Sequence, residues 1–222
     1  MRTIYLSPHL DDAVLSCGGL IYDQVNAGMD VEVFTFMCAI PRETSSEKYT
    51  IRMKEDKEAL KILGAKPIHY CFLDGLDRKD FEGNKLYSTV FSTVHPEDRT
   101  SLAITHLLKM QLESDDILMC PLAVGSHVDH VIIRKAGEDL GISLTYFVDF
   151  PYVEYLPDAL DPAVLGLTET TADITSEGLS HWIDAMRKYV SQDLYPTPEI
   201  TAQKITEYWA KNKGVSLWRK ET

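Results

Sequence analysis

The chain has 222 residues, of which 45% are hydrophobic, and this is enough to form one α/β domain over residues 1–222. Its formal net charge of −12 argues against nucleic acid and an anionic membrane surface as partners, because both require a basic face. No apolar run reaches the roughly 18 residues of a membrane span and no signal segment is evident, so we expect a cytoplasmic protein.

Strand and helix signals alternate through the N-terminal half, which predicts a parallel sheet covered by helices. The predicted strands cover residues 2–7, 30–38, 67–73, 116–121 and 143–150. The predicted helices cover 12–28, 49–63, 96–112 and 127–141, and a polar loop covers 39–48. An edge strand is predicted at 163–169, followed by two closing helices at 178–192 and 198–213.

Polar clusters follow four of the predicted strands. "PHLDD" ends the first strand and "FLDGLD" the third, while "GSHVDH" follows the fourth and "DFPY" closes the fifth. In an open parallel sheet, the loops at the carboxyl ends of the strands form the binding crevice. We therefore expect the four clusters to meet on one rim and to form the functional site.

Two of these clusters predict a metal site. His127 and His130 are three residues apart at the start of a predicted helix, as are His9 and Asp12 where the first strand turns into a helix. His9, Asp12 and His130 together form a two-histidine, one-carboxylate set that leaves an open position for water, as catalytic zinc requires. Iron(II) accepts the same kind of set.

The neighbouring polar residues supply groups for the hydrolysis of an amide. Asp11 is predicted to be the base that takes a proton from water on the metal. His127, as an imidazolium, is predicted to stabilise an oxyanion and then to protonate the leaving amine. Asp129 is expected to hold one of the histidines in its tautomer. Each motif alone also has a structural explanation, since aspartates favour helix starts and paired histidines occur on solvated helices.

The motifs "PHLDD" (8–12) and "HVDH" (127–130) resemble the two signatures of the LmbE/PIG-L family of zinc-dependent N-acetylglucosaminyl deacetylases. The resemblance implies a Rossmann-like α/β fold, with helices on both faces of a mostly parallel sheet. It implies a hydrolase of linear amide C–N bonds that removes the acetyl group from an N-acetylated amino sugar or its conjugate. It also implies zinc on His9, Asp12 and His130, with Asp11 as base.

Other parts of the chain carry the same resemblance. "RMKEDKEALKILG" (52–64), "FLDGLD", "VDFPY" (148–152) and "KYVSQ" (188–192) are similar to segments of the family. By position, His127 is implied to be the oxyanion or acid group and Asp129 its orienting partner. Arg52 and Asp77 fall where family members contact the sugar. Relatives often form oligomers, and the sequence leaves a homo-oligomer open.

Two departures from the family pattern keep alternatives open. Leu10 stands where the first motif has a second proline, and Ala13 stands where it has a glutamate. The alternatives are a zinc hydrolase of another amide or ester, and a catalytically retired carbohydrate-binding protein. A nucleotide-binding domain is disfavoured because Gly18 and Gly19 lie in no phosphate-loop pattern, and close packing of a helix on a strand explains them better.

Overall fold

The computed structural model describes residues 1–41, 46–192, 197–212 and 214–220. Within these ranges, the strands are β1 (Arg2–Ser7), β2 (Asp30–Thr35), β3 (Lys66–His69), β4 (Ile117–Pro121), β5 (Leu144–Phe147), β6 (Leu167–Asp173) and β7 (Gly214–Lys220). The α-helices are α1 (Asp12–Asn26), α2 (Ser46–Leu63), α3 (Thr100–Gln111), α4 (Val128–Glu138), α5 (Tyr152–Tyr155), α6 (Leu160–Ala163), α7 (Ser176–Met186) and α8 (Pro198–Asn212). No helix in the described ranges is both long and apolar enough to cross a bilayer.

The strands form one mixed sheet in the order β3-β2-β1-β4-β5-β7-β6. The five strands from β3 to β5 are parallel, whereas β7 runs antiparallel to both β5 and β6. Because the chain order reverses between β1 and β4, a crevice forms at the carboxyl ends of these two central strands. The predicted fold class, an α/β fold with a mostly parallel sheet, is confirmed.

Helices cover both faces of the sheet, as expected. Side chains of β1 alternate between the two faces, because successive residues of a strand point in opposite directions. Tyr5 packs into a core layer with α1, α2, α7 and α8, whereas Ile4 and Leu6 pack into a second layer with α3 and α4. β1 is therefore buried on both sides, which explains its continuous apolar run.

Several boundaries differ from the predicted ones, for local reasons. The third strand ends at His69 rather than residue 73, because the chain then turns to make an isolated antiparallel bridge between Met37 and Cys71. The third long helix begins at Thr100 rather than residue 96, since the Asp98 carboxylate accepts the Thr100 backbone N–H at 2.9 Å. Part of the predicted loop at 39–48 and the last residue of the predicted helix at 198–213 lie outside the described residues.

The C-terminal part holds the largest differences. The predicted edge strand at 163–169 is found at Leu167–Asp173, and its partner β7 was not predicted. The helix predicted over 178–192 ends at Met186. The short helices α5 and α6 were not predicted either. β7 is an inner strand, so the sheet of the described residues has β3 and β6 at its edges.

Gly18 and Gly19 allow helix α1 to approach helix α7. A Cβ atom on Gly18 would lie 2.3 Å from Trp182 Cδ1, and one on Gly19 would lie 2.7 Å from Ile174 Cγ2. Trp182 is buried and donates its indole N–H to the Val14 carbonyl oxygen at 2.6 Å. Close packing therefore explains the glycine pair, although the partner is a helix rather than a strand.

Candidate metal centre

The three predicted ligand residues lie together at the carboxyl edge of the sheet. Asp12 Oδ2 is 3.1 Å from His9 Nδ1 and 3.3 Å from His130 Nε2. The candidate ligand atoms of the three residues all lie within 4.8 Å of one another. Atoms bound to one tetrahedral zinc at about 2.0–2.2 Å are roughly 3.3–3.6 Å apart. The observed spacing is therefore compatible with one shared ion.

His130 supports this interpretation through a buried nitrogen without a hydrogen bond. Its Nδ1 lies 2.5 Å from Asp149 Oδ1, and both side chains are 1% exposed. Its Nε2 has no hydrogen-bond partner among the described residues, since the contact with Asp12 is not aligned for one. A buried polar atom without a partner is costly, and a metal ion would satisfy it. The residues fit a divalent metal.

Each of the two histidines is held from behind by a buried aspartate. Asp149 pairs with His130 and accepts the Val124 backbone N–H on its other oxygen at 3.0 Å. Asp129 Oδ2 lies 3.1 Å from His9 Nε2. This carboxylate–histidine arrangement is the usual way in which proteins select the tautomer of a metal-binding imidazole. Each ring thus presents its remaining nitrogen towards Asp12.

Asp129 contacts a different histidine from the one that the family resemblance implied. Its carboxylate lies beside His9 and pairs with the buried guanidinium of Arg78. His127 receives the backbone N–H of Asp129 instead, at 3.2 Å from His127 Nδ1. His9, His127 and Asp129 form a second group compact enough for a metal ion, so His9 belongs to two candidate ligand sets.

Charge interactions link the members of the first ligand set. Burial disfavours the charged form of all three groups, but the two histidines hold the pKa of Asp12 well below its usual range. Against the same effect of burial, Asp12 and Asp149 raise the pKa of His130 to about 9, and Asp12 and Asp74 raise that of His9 well above 6.5. A metal must therefore displace protons from these histidines, so its binding weakens at low pH.

Asp11 is the N-cap residue immediately before helix α1, yet its side chain makes no capping hydrogen bond. It is 8% exposed and lines a cavity of about 330 Å³ next to the ligand set. Burial and the neighbouring Asp12 charge raise the pKa of Asp11 to about 7, and the positive charge of His9 opposes them. Helix capping does not explain this carboxylate.

His127 begins helix α4 after a tight turn in which Ala123 and Ser126 both have a positive φ, of 57° and 59°. Such conformations cost about 1 kcal/mol or more for a residue with a side chain, so packing must hold the turn in place. Because His127 Nδ1 accepts the Asp129 N–H, the ring proton of the neutral form lies on Nε2.

The surroundings of His127 favour the neutral imidazole. Burial lowers its pKa to about 2, and the nearby positive charges of His9 and His130 act in the same direction. The His127 ring centroid lies 5.0 Å from that of each of these histidines. These surroundings favour a neutral ring, with its donor on Nε2, over the imidazolium expected from the sequence.

The two predicted sugar-binding residues occupy different positions. Arg52 lines the cavity, and its buried Nε has no hydrogen-bond partner among the described residues. Asp77 is half-buried behind the cavity lining, where its carboxylate accepts the hydroxyl of Tyr49 at 3.4 Å. Asp74, three residues earlier in the same loop, lines the cavity instead. Gln192 also lines it, with a buried side-chain nitrogen that is unpaired within the described part of the chain.

Several residues of the site were not predicted. Asp149 lies in the "DFPY" cluster that the sequence placed on the rim, but the sequence assigned it no role. Asp74 and Asp77 share one short loop, and their spacing did not indicate which of them would face the cavity. Tyr152, whose ring centroid lies 5.1 Å from that of His130, belongs to the same "DFPY" cluster and was also assigned no role, whereas Arg78 carried no signal.

The sequence model of the family described as "PIG-L: GlcNAc-PI de-N-acetylase" matches residues 4–141, which is more than half of the chain. The chain belongs to the PIG-L family. The match contains "PHLDD", "FLDGLD" and "HVDH", and therefore all the ligand residues of the first set. The predicted family is confirmed.

Relatives of this PIG-L member include deacetylases. The 2'-N-acetylparomamine deacetylase of Niallia circulans is 25% identical over 185 residues, which are 67% of this chain and 66% of that protein. The match thus spans just under two thirds of that relative's length.

Solved structures resemble the fold over nearly its whole length. The zinc-inhibited form of teicoplanin deacetylase has a TM-score of 0.79 at 22% identity and covers 99% of this chain and 97% of that chain. The A40926 pseudoaglycone deacetylase has a TM-score of 0.74 at 25% identity and covers 98% of this chain and 96% of that chain.

Proposed function

We propose that this PIG-L member is a zinc-dependent N-deacetylase of an N-acetylated amino sugar or of a conjugate that carries one. The observation that carries the proposal is the pairing of two neighbouring aspartates. Asp12 lies among the histidines of a ligand set, while Asp11 faces the cavity with its pKa raised to about 7. Membership of a de-N-acetylase family supports the same reaction.

Zinc is the metal that we propose for His9, Asp12 and His130. Once bound there, a zinc ion supplies a more acidic water and polarises the carbonyl group of the amide. Iron(II) also accepts two histidines and a carboxylate, so metal analysis of the protein as isolated tests this choice. The buried, unpartnered Nε2 of His130 supports a metal of either kind.

Asp11 is proposed to move the proton in both halves of the reaction. It takes a proton from the attacking water as the water oxygen forms its bond to the carbonyl carbon. It then delivers that proton to the nitrogen as the C–N bond breaks, which yields acetic acid and the free amine; these ionise to acetate and ammonium at neutral pH. A base with a pKa near neutral pH suits both transfers.

His127 is proposed to stabilise the negative charge that develops on the carbonyl oxygen. Its Nε2–H is the available donor, since Nδ1 accepts a backbone N–H. The ring is buried, held by helix α4, and already oriented before the substrate binds. A fixed donor in a water-poor site stabilises an oxyanion without reorganisation.

The cavity suits a small polar substrate. Its volume of about 330 Å³ lies at the lower end of the range for small-molecule sites, roughly 300–1,000 Å³. The unpaired nitrogens of Arg52 and Gln192 are proposed to donate to sugar oxygens. We propose a weaker, indirect role for Asp77, through the Tyr49 hydroxyl. The deacetylation of an acetylated paromamine by a relative, as its name states, supports this substrate class.

We extend the proposal to one deacetylase domain over residues 1–222 in a cytoplasmic protein. Support for one domain comes from β7, which lies between β5 and β6 and so ties the end of the described chain to the parallel sheet. A single unfolding transition and recovery in the soluble cell fraction are the matching measurements.

The decisive experiment is acetate release, with and without added zinc, from N-acetylglucosamine, its glycosides, chito-oligosaccharides and lipid- or inositol-linked forms. We expect zinc-dependent release from one class. Release from another acyl substrate alone would favour the second candidate, an amide or ester hydrolase of different specificity. Bound zinc without release from any substrate would favour a retired binder, for which the replacement of the family glutamate by Ala13 is the relevant observation.

A further inference from the structure

Arg78 is a buried cation at the back of the candidate metal centre. Its side chain is 6% exposed and reaches three oxygen partners, besides Met37 Sδ at 3.7 Å from Nη2. Nε donates to the Leu73 carbonyl oxygen at 3.0 Å, Nη1 donates to Asp98 Oδ2 at 2.6 Å, and Nη2 pairs with Asp129 Oδ1. The guanidinium therefore links the loop after β3, the start of α3 and the first turn of α4.

Asp129 is held on both of its oxygens. Oδ1 pairs with Arg78, while Oδ2 accepts the Gly75 backbone N–H at 3.0 Å and lies 3.1 Å from His9 Nε2. The residue is fully buried. A buried carboxylate is retained only when charge and hydrogen bonds compensate its lost hydration. Arg78 supplies that charge and fixes the direction in which Asp129 faces His9.

The position of Asp129 matters because two ligand sets compete for His9. One contains Asp12 and His130, and the other contains His127 and Asp129. In the first set, His9 donates Nε2–H to Asp129, whose Oδ2 is nearer at 3.1 Å than Asp74 Oδ2 at 3.5 Å, and leaves Nδ1 bare towards Asp12. In the second set, Asp129 would itself become a ligand, and His127 would no longer be free to donate a hydrogen bond.

We propose that Arg78 is a positioning residue that selects the first ligand set. By holding Asp129 Oδ1, it keeps Asp129 as the acceptor of the His9 Nε2–H, and so keeps Asp129 out of the coordination sphere. This inference rests on the proposed metal site. It adds a residue that touches neither metal nor substrate and acts through Asp129.

A comparison with His130 shows why Asp129, behind His9, needs the support of another side chain. Asp149, behind His130, is held by the Val124 backbone N–H, which the turn before α4 supplies. Asp129 receives one backbone N–H as well, but its second oxygen depends on Arg78. The planar, forked guanidinium group of arginine can donate to Asp98, Asp129 and a carbonyl oxygen together. The single ammonium group of lysine cannot reach all three, so lysine replaces arginine poorly at this site.

The test measures zinc affinity directly, by competition with a chromogenic chelator at fixed pH. We expect Arg78→Gln to bind zinc 10- to 100-fold more weakly than the parent, which is the usual effect of losing support behind a metal ligand. Arg78→Lys should recover part of the loss. Tyr87→Phe is the matched control, because it removes a hydroxyl that donates to the same Asp98 Oδ2 at 2.7 Å but leaves Arg78 and Asp129 unchanged. Its zinc affinity should stay within twofold of the parent.

Two further measurements separate positioning from general damage to the fold. If Arg78 acts through Asp129, the double variant Arg78→Gln/Asp129→Asn should bind zinc no more weakly than Asp129→Asn alone. Cobalt(II) absorption should change in Arg78→Gln, because Asp129 or water enters the coordination sphere, and should be unchanged in Tyr87→Phe. Thermal unfolding of the metal-free variants confirms that each is folded.

The outcomes distinguish the two proposals. Additive losses in the double variant, or a parent-like cobalt spectrum and zinc affinity in Arg78→Gln, would overturn the role of Arg78 while leaving the metal site intact. A parent protein that binds neither zinc nor cobalt would instead overturn the proposed function on which the inference rests.

Discussion

Asp11 and Asp12 are adjacent in the sequence, yet their surroundings shift the pKa values of the two carboxyl groups in opposite directions. The Asp12 carboxylate lies within 3.3 Å of nitrogens on two histidines, which hold its pKa well below the usual range. Asp11 makes no capping hydrogen bond, and burial beside Asp12 raises its pKa to about 7. One residue is thus suited to bind a cation and its neighbour to exchange a proton.

The first expectation concerns Asp11→Asn. This change removes a base but no ligand, so zinc content should remain at the parent value while kcat falls by about 10²- to 10⁴-fold. The matched control is Asp12→Asn, which should lose zinc as well as activity. Zinc analysis and steady-state kinetics on the same preparations make the comparison. Parent-like turnover in Asp11→Asn would show that another group takes the proton.

The second expectation concerns pH. The active form of Asp11 is the carboxylate, so kcat/KM should fall as pH drops through its pKa, by up to tenfold per unit. Without metal, the pKa of Asp11 is raised to about 7. A bound cation favours the carboxylate and lowers this pKa, so the midpoint of the fall in kcat/KM should lie at or below pH 7.

The pH profile of His127→Ala tests whether His127 changes its protonation state in the assay range. Burial is the main cause that lowers the pKa of His127 to about 2, and a bound cation would act in the same direction, so its ring should stay neutral across the assay range. The variant should therefore lose about 10²- to 10³-fold in kcat at every pH without moving the acidic limb that Asp11 sets. A basic limb that disappears in His127→Ala would identify an imidazolium acid instead.

The third expectation concerns Asp149→Asn. The change weakens the acceptor that holds His130 Nδ1 and should reduce zinc affinity by about 10- to 100-fold. Asp139→Asn serves as the control, because Asp139 is exposed and its carboxylate pairs, within the described part of the chain, with Lys135 one helical turn away. Chelator competition provides the measurement, and equal affinities in the two variants would remove Asp149 from the metal centre.

The fourth expectation concerns stability. Gly18→Ala would place a Cβ atom 2.3 Å from Trp182 Cδ1, so helix α1 must move away from α7. We expect a loss of about 1–3 kcal/mol in the free energy of unfolding. Asn26→Ala, at the exposed end of the same helix, should change stability by less than about 0.5 kcal/mol. Urea unfolding of both variants checks the difference.

Prediction of the site from the sequence was most successful where short motifs coincide with the ends of strands. "PHLDD" and "HVDH" each place a ligand residue within a few positions of a buried strand, so alternation of strands and helices was enough to bring His9, Asp12 and His130 together. Local periodicity also gave the parallel strands to within a few residues, because all of them except the edge strand β3 are largely buried and read as apolar runs.

Contacts between distant residues were beyond this kind of prediction. Arg78 reaches Asp129 across 51 positions, and β7 pairs with β6 across a segment that contains two helices. Neither pairing has a periodic signal, because it depends on the order of strands in the sheet and not on the pattern within one strand. The neutral state of His127 likewise follows from the positions of His9 and His130 around it.

The position of β7 has a consequence for synthesis of the protein. This strand leaves the ribosome after β6 but inserts between β5 and β6, with Phe147 opposite Leu217. Asp149 follows β5 by two residues, so the segment that carries it gains its final neighbour only when residues 214–220 have been translated. A nascent chain that stops after α8 therefore has the motifs of the metal centre but not the completed sheet that supports them.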